Sequence, residues 1–444
     1  LAGIRQCRPG HVLRIRPGEA LPRAACWWDD LSAGPWRDGL SGPVEEQFAT
    51  LFGSAVAYRL ISDVPVGTYN SGGVDSSLVT AEVRRRTAGP LHTFSVGFEE
   101  ASHDESRYAR IVADRLGTEH HRLVMNARDY AAALEETIWF CEEPLNHAHT
   151  VPLLRLSRYA REHVTVVLTG EGADELFAGY PRYQIPLLAR WLRHLPRLLT
   201  DPCVWALRRA EQRRLLKLLE AGRTVRRGVV DNARWLGDAQ IDALGAGRPR
   251  LSDRLDLYAR VEASSLDPLE QVLAFDRGTY LPSLLHRLDR TTMASGVEAR
   301  VPFLDYRLLG WSKTLPRAAK LALGRENKVL LKRIAAASFP REMIYRRKMG
   351  FDVPIGTWLR DARNLGRYLD LLLDCTFAER GLFRPREAER LVREHRQGTA
   401  DHAEILWPMI NLELWQRRFL DAPPAIRTPE PGPQVVHAIP GGRS

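Results

Sequence analysis

Short apolar runs of strand length alternate with longer segments of helical periodicity in the first part of the chain. The predicted strands cover residues 64–69, 91–97, 120–124 and 164–169, and the predicted helices cover residues 76–87, 104–116, 127–140 and 150–162. Strands that alternate with helices at this spacing are typical of a parallel sheet with helices on both faces. We therefore expect an α/β fold here, with ligands at the carboxyl ends of the strands.

The rest of the chain divides into segments of different character. Residues 1–30 hold short apolar stretches broken by Pro-Gly pairs and predict an irregular strand pair, whereas residues 31–43 are rich in glycine and predict a linker. A helix is expected over residues 44–61. Helical periodicity dominates residues 181–420, and the proline- and glycine-rich residues 421–444 predict a disordered tail. A parallel sheet followed by a largely helical part is thus the expected architecture.

Composition narrows the class of protein. The chain has 444 residues and 44% hydrophobic content, so two or more domains are expected. No run of eighteen apolar residues is present and the amino end has no apolar signal core, so neither a membrane span nor secretion is indicated. The five cysteines lack paired or metal-binding spacing, which fits a reducing cytoplasm. They are Cys7, Cys26, Cys141, Cys203 and Cys375.

The basic net charge raises the question of a nucleic-acid partner. The formal net charge is +10, with 64 basic residues, of which only six are lysine. Arginine has displaced lysine throughout the chain, which indicates a coding bias rather than a binding patch. The densest cluster, from Arg182 to Arg250, lies in a leucine- and tryptophan-rich helical stretch, where solvated helix faces are the favoured interpretation. We expect neither nucleic acid nor membrane as a partner.

The most informative motif is Ser-Gly-Gly-Val-Asp-Ser-Ser at residues 71–77, between a predicted strand and a predicted helix. The glycines allow a sharp turn, and the N–H groups of the loop and of the first helical turn point at an anion. Asp75 inside the loop indicates that a divalent cation accompanies a phosphate. The loop lacks the lysine of a Walker-type motif. A surface glycine turn is the alternative interpretation.

A second motif, at residues 169–180, carries three carboxylates after a buried-looking strand and two glycines. Carboxylates there are costly unless they meet a cation or water. Glu171 and Asp174 are three residues apart and share a face on a helical turn, so with Asp75 they are candidates to surround magnesium. The alternative is an acidic first turn that stabilises a helix dipole.

Two later segments complete the motif set. Residues 289–305 end in Val-Glu-Ala-Arg-Val-Pro-Phe-Leu-Asp, and residues 345–359 contain Arg-Lys-Met-Gly-Phe. Periodicity alone predicts a helix end for the first and a loop for the second. In this order, the four motifs resemble the synthetase domain of the glutamine-dependent asparagine synthetases over about residues 40–420. The first motif is also similar to those of GMP, NAD and argininosuccinate synthetases, but the second is not expected in those enzymes.

The resemblance implies a fold and a reaction. The fold is the adenine-nucleotide α-hydrolase-like parallel sheet with a pyrophosphate loop, in a ligase domain over residues 44–420. ATP and Mg²⁺ bind, the carboxylate of aspartate attacks the α-phosphate, and ammonia displaces AMP from the acyl-adenylate to give asparagine. Preorganised N–H donors and magnesium suit the charge that builds on a pyrophosphate leaving group.

The resemblance also implies site residues, by position. The ATP site is assigned to Tyr69, Ser71, Gly72, Gly73, Asp75, Ser76, Ser77, Val96, Thr169 and Gly170. Asp75 and Asp174 match the magnesium carboxylates, Glu171 matches a residue tied to adenylate formation, and Lys348 matches one that stabilises charge on the α-phosphate. A lysine retained in an arginine-biased chain fits a role that the planar guanidinium would not fill. A chance surface lysine is the alternative for Lys348.

The chain departs from the family pattern in three places. Asn70 stands where leucine is usual, and Ser295-Gly296 are loosely matched; both could shift the acid-binding pocket. The family begins with a glutaminase domain whose N-terminal cysteine is the nucleophile, but residues 1–30 resemble only the end of that domain. We expect a fragment, or a synthetase that takes ammonia from elsewhere, including a separate glutaminase domain or subunit. A homodimer is left open.

Two other functions remain open. Relatives that resemble this domain adenylate other acids in specialised metabolism, to amidate them or to close β-lactam or peptide rings. A nucleotide-binding scaffold without catalysis is the third hypothesis, although it would require a damaged site. The histidine pairs His120-His121 and His147-x-His149 have no cysteine or carboxylate partner at zinc-binding spacing, so structural or exposed roles are expected for them.

Overall fold

Five parallel strands form the sheet that organises the protein, in the order β5-β4-β3-β6-β7. The strands are β3 Val66–Tyr69, β4 His92–Phe98, β5 Glu119–Met125, β6 Val166–Leu168 and β7 Glu298–Arg300. β3 is the first of them in the chain; β4 and β5 follow on one side of it, and β6 and β7 lie on the other side. The order therefore reverses between β3 and β6, and a crevice opens beyond their carboxyl ends.

The computed structural model describes most of the chain. The described residues are 7–18, 23–32, 34, 36, 38–192, 203, 219, 229–230, 236–245, 247, 252–346 and 352–421. The predicted tail over residues 421–444 therefore lies, except for its first residue, outside the described residues.

Helices cover both faces of the sheet. Those of the first part are α1 Val44–Arg59, α2 Val74–Arg86, α3 Ser106–Leu116, α4 Ala127–Cys141, α5 Thr150–Arg161, α6 Ala173–Phe177 and α7 Gln184–Leu192. Those that follow are α8 Asp238–Leu244, α9 Ser252–Glu262, α10 Pro268–Met293, α11 Tyr306–Ser312, α12 Arg317–Lys320, α13 Val329–Ala335, α14 Arg341–Ile344, α15 Ile355–Arg360, α16 Cys375–Glu379, α17 Pro385–Gln397 and α18 Ala403–Gln416. The predicted α/β part and the largely helical part are both confirmed.

Helix α2 shows how the sequence builds the site locally. It begins after Gly73, whose backbone is extended, and it has Asp75 in its first turn and three arginines in its last. Negative charge at the start and positive charge at the end both stabilise the helix dipole. The four predicted strands and the helices between them lie within a few residues of their predicted bounds.

The fifth strand, β7, was not expected from the sequence. Periodicity predicts a helix end over this region, and the helix α10 does end at Met293. Glu298–Arg300 then pairs with β6 in parallel, Val166 beside Glu298 and Leu168 beside Arg300. A strand of three residues with two charged side chains has no alternating apolar pattern, so it is recognised only by its pairing with β6.

A second sheet, of two antiparallel strands, lies near the amino end: β1 His11–Arg14 and β2 Arg23–Cys26. The predicted strand pair in residues 1–30 is therefore present. Asp30, which follows it, accepts from Arg277 Nε at 2.7 Å and pairs with Lys313 Nζ at 2.9 Å. These buried ion pairs hold the segment against the rest of the protein.

Among the described residues, no helix is long and apolar enough to span a bilayer.

Candidate active site

The loop between β3 and α2 is held in a tight turn by its own side chains. Gly72 has a φ of +67°, and a Cβ there would lie 2.4 Å from the backbone carbon of Tyr108 in α3. Ser76 and Ser77 donate to the carbonyl of Gly73 at 3.2 and 2.6 Å, and the hydroxyl groups of Ser71 and Ser76 lie 3.1 Å apart. The loop therefore closes over the start of α2, where the first N–H groups have no partner within the helix.

Asn70 explains one departure from the family pattern. Its side chain is fully buried, and its Nδ2 donates to the carbonyl of Ala109 in α3 at 2.9 Å. Its Oδ1 accepts from the N–H of Gly72 at 3.0 Å. Asn70 thus ties the turn of the loop to α3 by hydrogen bonds that leucine could not make.

The loop after β6 lies directly against the start of α2. A Cβ on Gly170 would be 2.9 Å from the N of Ser76 and 2.9 Å from the Cβ of Asp75. No L-residue side chain fits there without displacing the backbone. The two predicted motifs therefore meet at the reversal point of the sheet, as their positions after β3 and β6 predict.

Asp75 and Asp174 converge on one cation, the ammonium group of Lys328. The Nζ atom lies 2.5 Å from Asp75 Oδ2 and 2.6 Å from Asp174 Oδ1. The side chain of Lys328 is 7% exposed and those of Asp75 and Asp174 are 17% and 14% exposed, so the triad, with a formal charge of −1, is largely buried. The predicted pairing of Asp75 with Asp174 is present, and two carboxylates at this point fit a divalent cation that wants anionic oxygen.

Lys328 was not identified from the sequence as a site residue, because tertiary contacts bring it to the two aspartates. The short antiparallel pair β8 Leu321–Ala322 and β9 Glu326–Asn327 leads to it. Asn327 Nδ2 donates to the carbonyls of Ala178 and Tyr180 at 2.8 and 2.9 Å, which fixes the chain just before Lys328. The rarity of lysine in this chain is the signal that could have drawn attention to Lys328, as it did to Lys348.

The contact between Asp174 and Lys328 requires a residue without a side chain at position 179. A Cβ on Gly179 would lie 1.7 Å from Asp174 Oδ1 and 2.1 Å from Lys328 Cε. The N–H of Gly179 donates to the carbonyl of Asp174 at 2.9 Å and closes the turn after α6. The glycine is therefore required by close approach.

Glu171 faces a different partner from Asp174. Its Oε1 accepts from Arg287 Nη2 at 2.9 Å, and the same guanidinium donates to Nε2 of His149. Burial, and next the charge of Arg287, lowers the pKa of His149 well below its usual value. His149 is therefore neutral and accepts the hydrogen bond. Glu171 thus pairs with Arg287, whereas Asp75 and Asp174 meet at Lys328, and a place for Glu171 beside a cation stays a prediction.

Glu175, the third carboxylate of the motif, is buried. Burial, and next the charge of Asp174, raises its pKa to about 8. Tyr180 donates its hydroxyl to Oε1 of Glu175 at 2.8 Å. Glu175 is thus a neutral acid at pH 7 that supports the turn carrying Asp174.

The residues expected to surround a nucleotide differ in which of their groups could contact it. The Tyr69 side chain points away from the crevice and donates to Ser157 in α5 at 2.9 Å, so only its backbone lies at the strand end. Val96 is half-buried in β4 and packs against the apolar core. The hydroxyl of Thr169 is buried and, among the described residues, has no hydrogen-bond partner. An orphaned hydroxyl at a strand end fits a ligand polar atom.

Lys348 lies outside the described residues, but the chain just before it is placed. Arg346 pairs with Glu105, and its guanidinium carbon lies 4.1 Å from the centre of the Tyr108 ring. Tyr108 is the residue whose backbone packs on Gly72. Arg346 is therefore anchored beside the loop.

A parallel sheet with a Ser-Gly-Gly loop and paired aspartates at its reversal point defines an α/β nucleotide-binding synthetase domain. The comparison with protein families agrees with this class. The asparagine synthase family matches residues 47–417, and the chain belongs to that family.

Individual relatives show the same kinship. A Mycobacterium tuberculosis protein whose name places it among the glutamine-hydrolyzing asparagine synthetases is 33% identical in an alignment of 432 residues that covers 94% of this chain and 65% of the relative. Asparagine synthetase [glutamine-hydrolyzing] 1 of Bacillus subtilis is 31% identical over 93% of this chain and 65% of its own length. The amidase chyE of Penicillium rubens is 29% identical over 73% of this chain and 54% of its own. The chain thus spans less than two thirds of these relatives.

Proposed function

We propose that this protein is an ATP-dependent amide ligase that activates a carboxylic acid as an acyl-adenylate, with aspartate as the acid and asparagine as the product. The observation that carries the proposal is the meeting of the glycine loop, Asp75, Asp174 and Lys328 at the reversal point of the sheet. Such a crevice is where α/β sheets bind nucleotides. The names of the Mycobacterium tuberculosis and Bacillus subtilis relatives support aspartate as the acid.

The proposed reaction has two steps. An oxygen of the acid carboxylate attacks the α-phosphorus of ATP, and the bond from that phosphorus to pyrophosphate breaks. Ammonia then attacks the carbonyl carbon, the bond to AMP breaks, and the nitrogen loses a proton. In the first step negative charge builds on pyrophosphate, and fixed N–H donors and cations stabilise it before any protein group has to move.

The loop residues are suited to hold the phosphates. The N-terminus of α2 supplies unpaired N–H groups and the positive end of a helix dipole. Gly72 and Gly170 allow the loop to pack closely against α3 and against the segment after β6. We assign the ATP site to this loop with Thr169 and Gly170 beside it, and with Tyr69 and Val96 behind it.

Magnesium fits the pair of aspartates. Asp75 and Asp174 would hold the ion, which when bound neutralises charge on the phosphates. Lys328 keeps the two carboxylates together and contributes a positive charge at the same place. We propose that Lys328 faces the pyrophosphate as it leaves.

Two other groups take part in the proposal. Arg287 fixes the carboxylate of Glu171 at the mouth of the site, where Glu171 acts in adenylate formation. Lys348 is proposed, from the resemblance, to stabilise charge on the α-phosphate; Arg346, two residues before it in sequence, is anchored beside the loop.

Ammonia is the proposed immediate nitrogen source, and glutamine is the donor in the full-length family pattern through a glutaminase domain or subunit. The cytoplasm is the proposed location, because it supplies ATP and keeps thiols reduced. The five cysteines of the chain are free thiols.

The test is product analysis with purified protein, MgATP, ammonium and a panel of acids. We expect pyrophosphate, AMP and asparagine with aspartate. Asp75→Asn and Asp174→Asn should each lose at least about 100-fold in rate, because the amide is a weaker ligand for a hard cation and charge stabilisation is lost. Asp114→Asn is the matched control, since Asp114 is exposed and pairs with Arg110 on α3. Release of ADP and phosphate would contradict adenylation.

The competing proposal is that the enzyme adenylates an acid other than aspartate, and one comparison favours it. The amidase chyE is named for a different activity and matches 73% of this chain. Asn70 departs from the family pattern at the loop itself, whereas Ser295-Gly296 precede β7 on the amino-end side of the sheet. Turnover with another acid in the panel and none with aspartate would support this second proposal while keeping the adenylation step.

A further inference from the structure

Three histidines from separate segments meet at the amino ends of the sheet strands. His92 begins β4, His121 lies in β5, and His163 precedes β6. One ring nitrogen of each lies within 4.8 Å of the corresponding nitrogens of the other two. Among the described residues this is the only group of three or more histidine, cysteine or carboxylate side chains close enough to hold one metal ion.

The nitrogens are close to metal-binding separation. His92 Nδ1 and His121 Nε2 are 3.0 Å apart. Two imidazole nitrogens bound tetrahedrally to one zinc, each at about 2.0–2.1 Å, lie about 3.3 Å apart. For this pair, closing around an ion therefore needs a change of only about 0.3 Å in the nitrogen separation.

The rings are held in place by aromatic neighbours. His121 stacks on Phe94, with ring centres 5.0 Å apart and an angle of 18° between the planes. The ring centres of His121 and His163 lie 3.9 Å apart, and Tyr159 packs edge-on against His163 at 5.8 Å. A ligand set whose rings are already fixed loses little side-chain entropy on binding.

The cluster is accessible to an ion from solvent. All three rings are only half-buried. Glu119 Oε2 lies 3.4 Å from His92 Nδ1 and is exposed at the same edge, where it can supply a fourth, anionic ligand.

The cluster is separate from the candidate active site. The active-site loops follow the carboxyl ends of β3 and β6, whereas His92 and Glu119 stand at the amino ends of β4 and β5. At about 3.3 Å per residue, the seven residues of β4 span about 20 Å. The sequence predicts a structural or exposed role for the pair His120-His121, and the ring of His120 does bond to Thr93 and Ser95, whereas His121 joins the cluster.

We propose that His92, His121 and His163 form a binding site for a divalent transition-metal ion of the zinc class, with Glu119 or water in the fourth position. Three imidazoles with one further oxygen ligand are a donor set that Zn²⁺ and Co²⁺ accept in tetrahedral geometry. The bound ion would tie the starts of β4, β5 and β6 together.

The test is metal binding by purified full-length protein that has been freed of metal and alkylated at its cysteines. Co²⁺ is titrated and followed by its visible ligand-field absorption, which is intense in four-coordinate sites, and Zn²⁺ affinity is measured by calorimetry. We expect one equivalent of Co²⁺ to give this absorption and Zn²⁺ to displace it. His163→Phe, which keeps an aromatic ring in the stack, should weaken Zn²⁺ binding by at least about 100-fold, because a ligand is lost rather than an outer-shell partner.

The controls separate a site from general histidine affinity. His11→Phe changes a histidine on β1 outside the cluster and should bind Zn²⁺ like wild type. His92→Gln provides a second cluster variant if His163→Phe fails to fold, as judged by its thermal melt without metal. Equal Zn²⁺ affinity in wild type and the cluster variants, or no saturable binding at millimolar zinc, would overturn the proposal. Pyrophosphate release should be the same in His163→Phe, so failure here is distinct from failure of the proposed ligase function.

Discussion

Lys328 and Asp75 form an ion pair across 253 residues of sequence, with Nζ 2.5 Å from Oδ2. The pair joins the first turn of α2 to the residue before α13, and Asp174 completes it from the first turn of α6. Three chain segments that are far apart in sequence therefore share one buried charge cluster. Removing one member of such a cluster leaves uncompensated charge, which costs much more than the net contribution of the intact pair.

Lys328→Ala should abolish most activity while the nucleotide still binds. Two facing carboxylates would lose their common partner, and we expect pyrophosphate release to fall by at least about 100-fold. Lys328→Arg should rescue poorly, because the planar fork is larger than an ammonium in a site without free space. The measurements are pyrophosphate release and ATP binding by calorimetry.

Lys332→Ala is the matched control for that variant. Lys332 lies one turn further along α13, with Nζ 3.6 Å from Glu326 Oε1 and a partly exposed side chain. We expect near wild-type turnover, as for most exposed ion pairs. Near wild-type turnover in Lys328→Ala as well would remove Lys328 from the proposed reaction.

Gly179→Ala should reproduce the loss of Lys328 without changing any charged group. The new methyl would overlap Asp174 Oδ1 and Lys328 Cε, so the contact has to open. We expect an overpacking cost of about 1–3 kcal/mol in the free energy of unfolding and a strong loss of pyrophosphate release.

Gly89→Ala provides the comparison. Gly89 is exposed, and a Cβ there meets nothing within 4 Å. We expect its free energy of unfolding to stay within about 0.5 kcal/mol of wild type. If Gly179→Ala is as active as Gly89→Ala, the space at Gly179 is not needed for the site. Urea unfolding and turnover of both variants decide this.

Lys348→Ala should stop adenylate formation while ATP still binds measurably, since the proposed role concerns charge on the α-phosphate in the transition state. Lys348→Arg should restore little of the rate, because a compact point charge and a planar fork are not equivalent. Single-turnover formation of the acyl-adenylate, with ATP affinity measured in parallel, checks both variants. Full activity in Lys348→Arg would mean that net charge alone suffices.

Glu175 should make stability depend on pH. Its pKa is about 8 in the folded protein and near 4.5 when exposed, so between these values the folded state holds a proton that the unfolded state lacks. Raising the pH through this window therefore lowers the free energy of unfolding. Each tenfold change in proton affinity is worth about 1.4 kcal/mol, and we expect a loss of at least about 1 kcal/mol between pH 5 and pH 8.

Glu175→Gln should lack this contribution and keep the hydrogen bond from Tyr180. Relative to this variant, wild type should become steadily less stable as the pH rises from 5 to 8 in urea unfolding experiments. Glu379→Gln, at an exposed position of α16, should follow the wild-type pH dependence. A constant difference between wild type and Glu175→Gln across this range would show that Glu175 is ionised in the folded protein.

Much of the site could be predicted because its parts are local. A strand, two glycines and a helix start are adjacent in sequence, so the loop at 71–77 and the turn at 169–174 are visible in the pattern. Their meeting could also be predicted, because both follow strands of one parallel sheet. The partner of Glu171 was harder to predict, since the orientation of its carboxylate is decided by Arg287, which lies 116 residues away in sequence.

The sequence by itself determined the order of strands and helices, the two motifs proposed to bind an anion and a cation, and the family to which they belong. These depend on periodicity, on backbone freedom at glycine and on neighbouring side chains, which are all local properties. The tertiary structure alone decided that Lys328 bridges Asp75 and Asp174, that Glu298–Arg300 is a strand, and that three histidines meet at the far end of the sheet. Each of these is a contact between distant segments, and no local pattern encodes which distant segment will supply the partner.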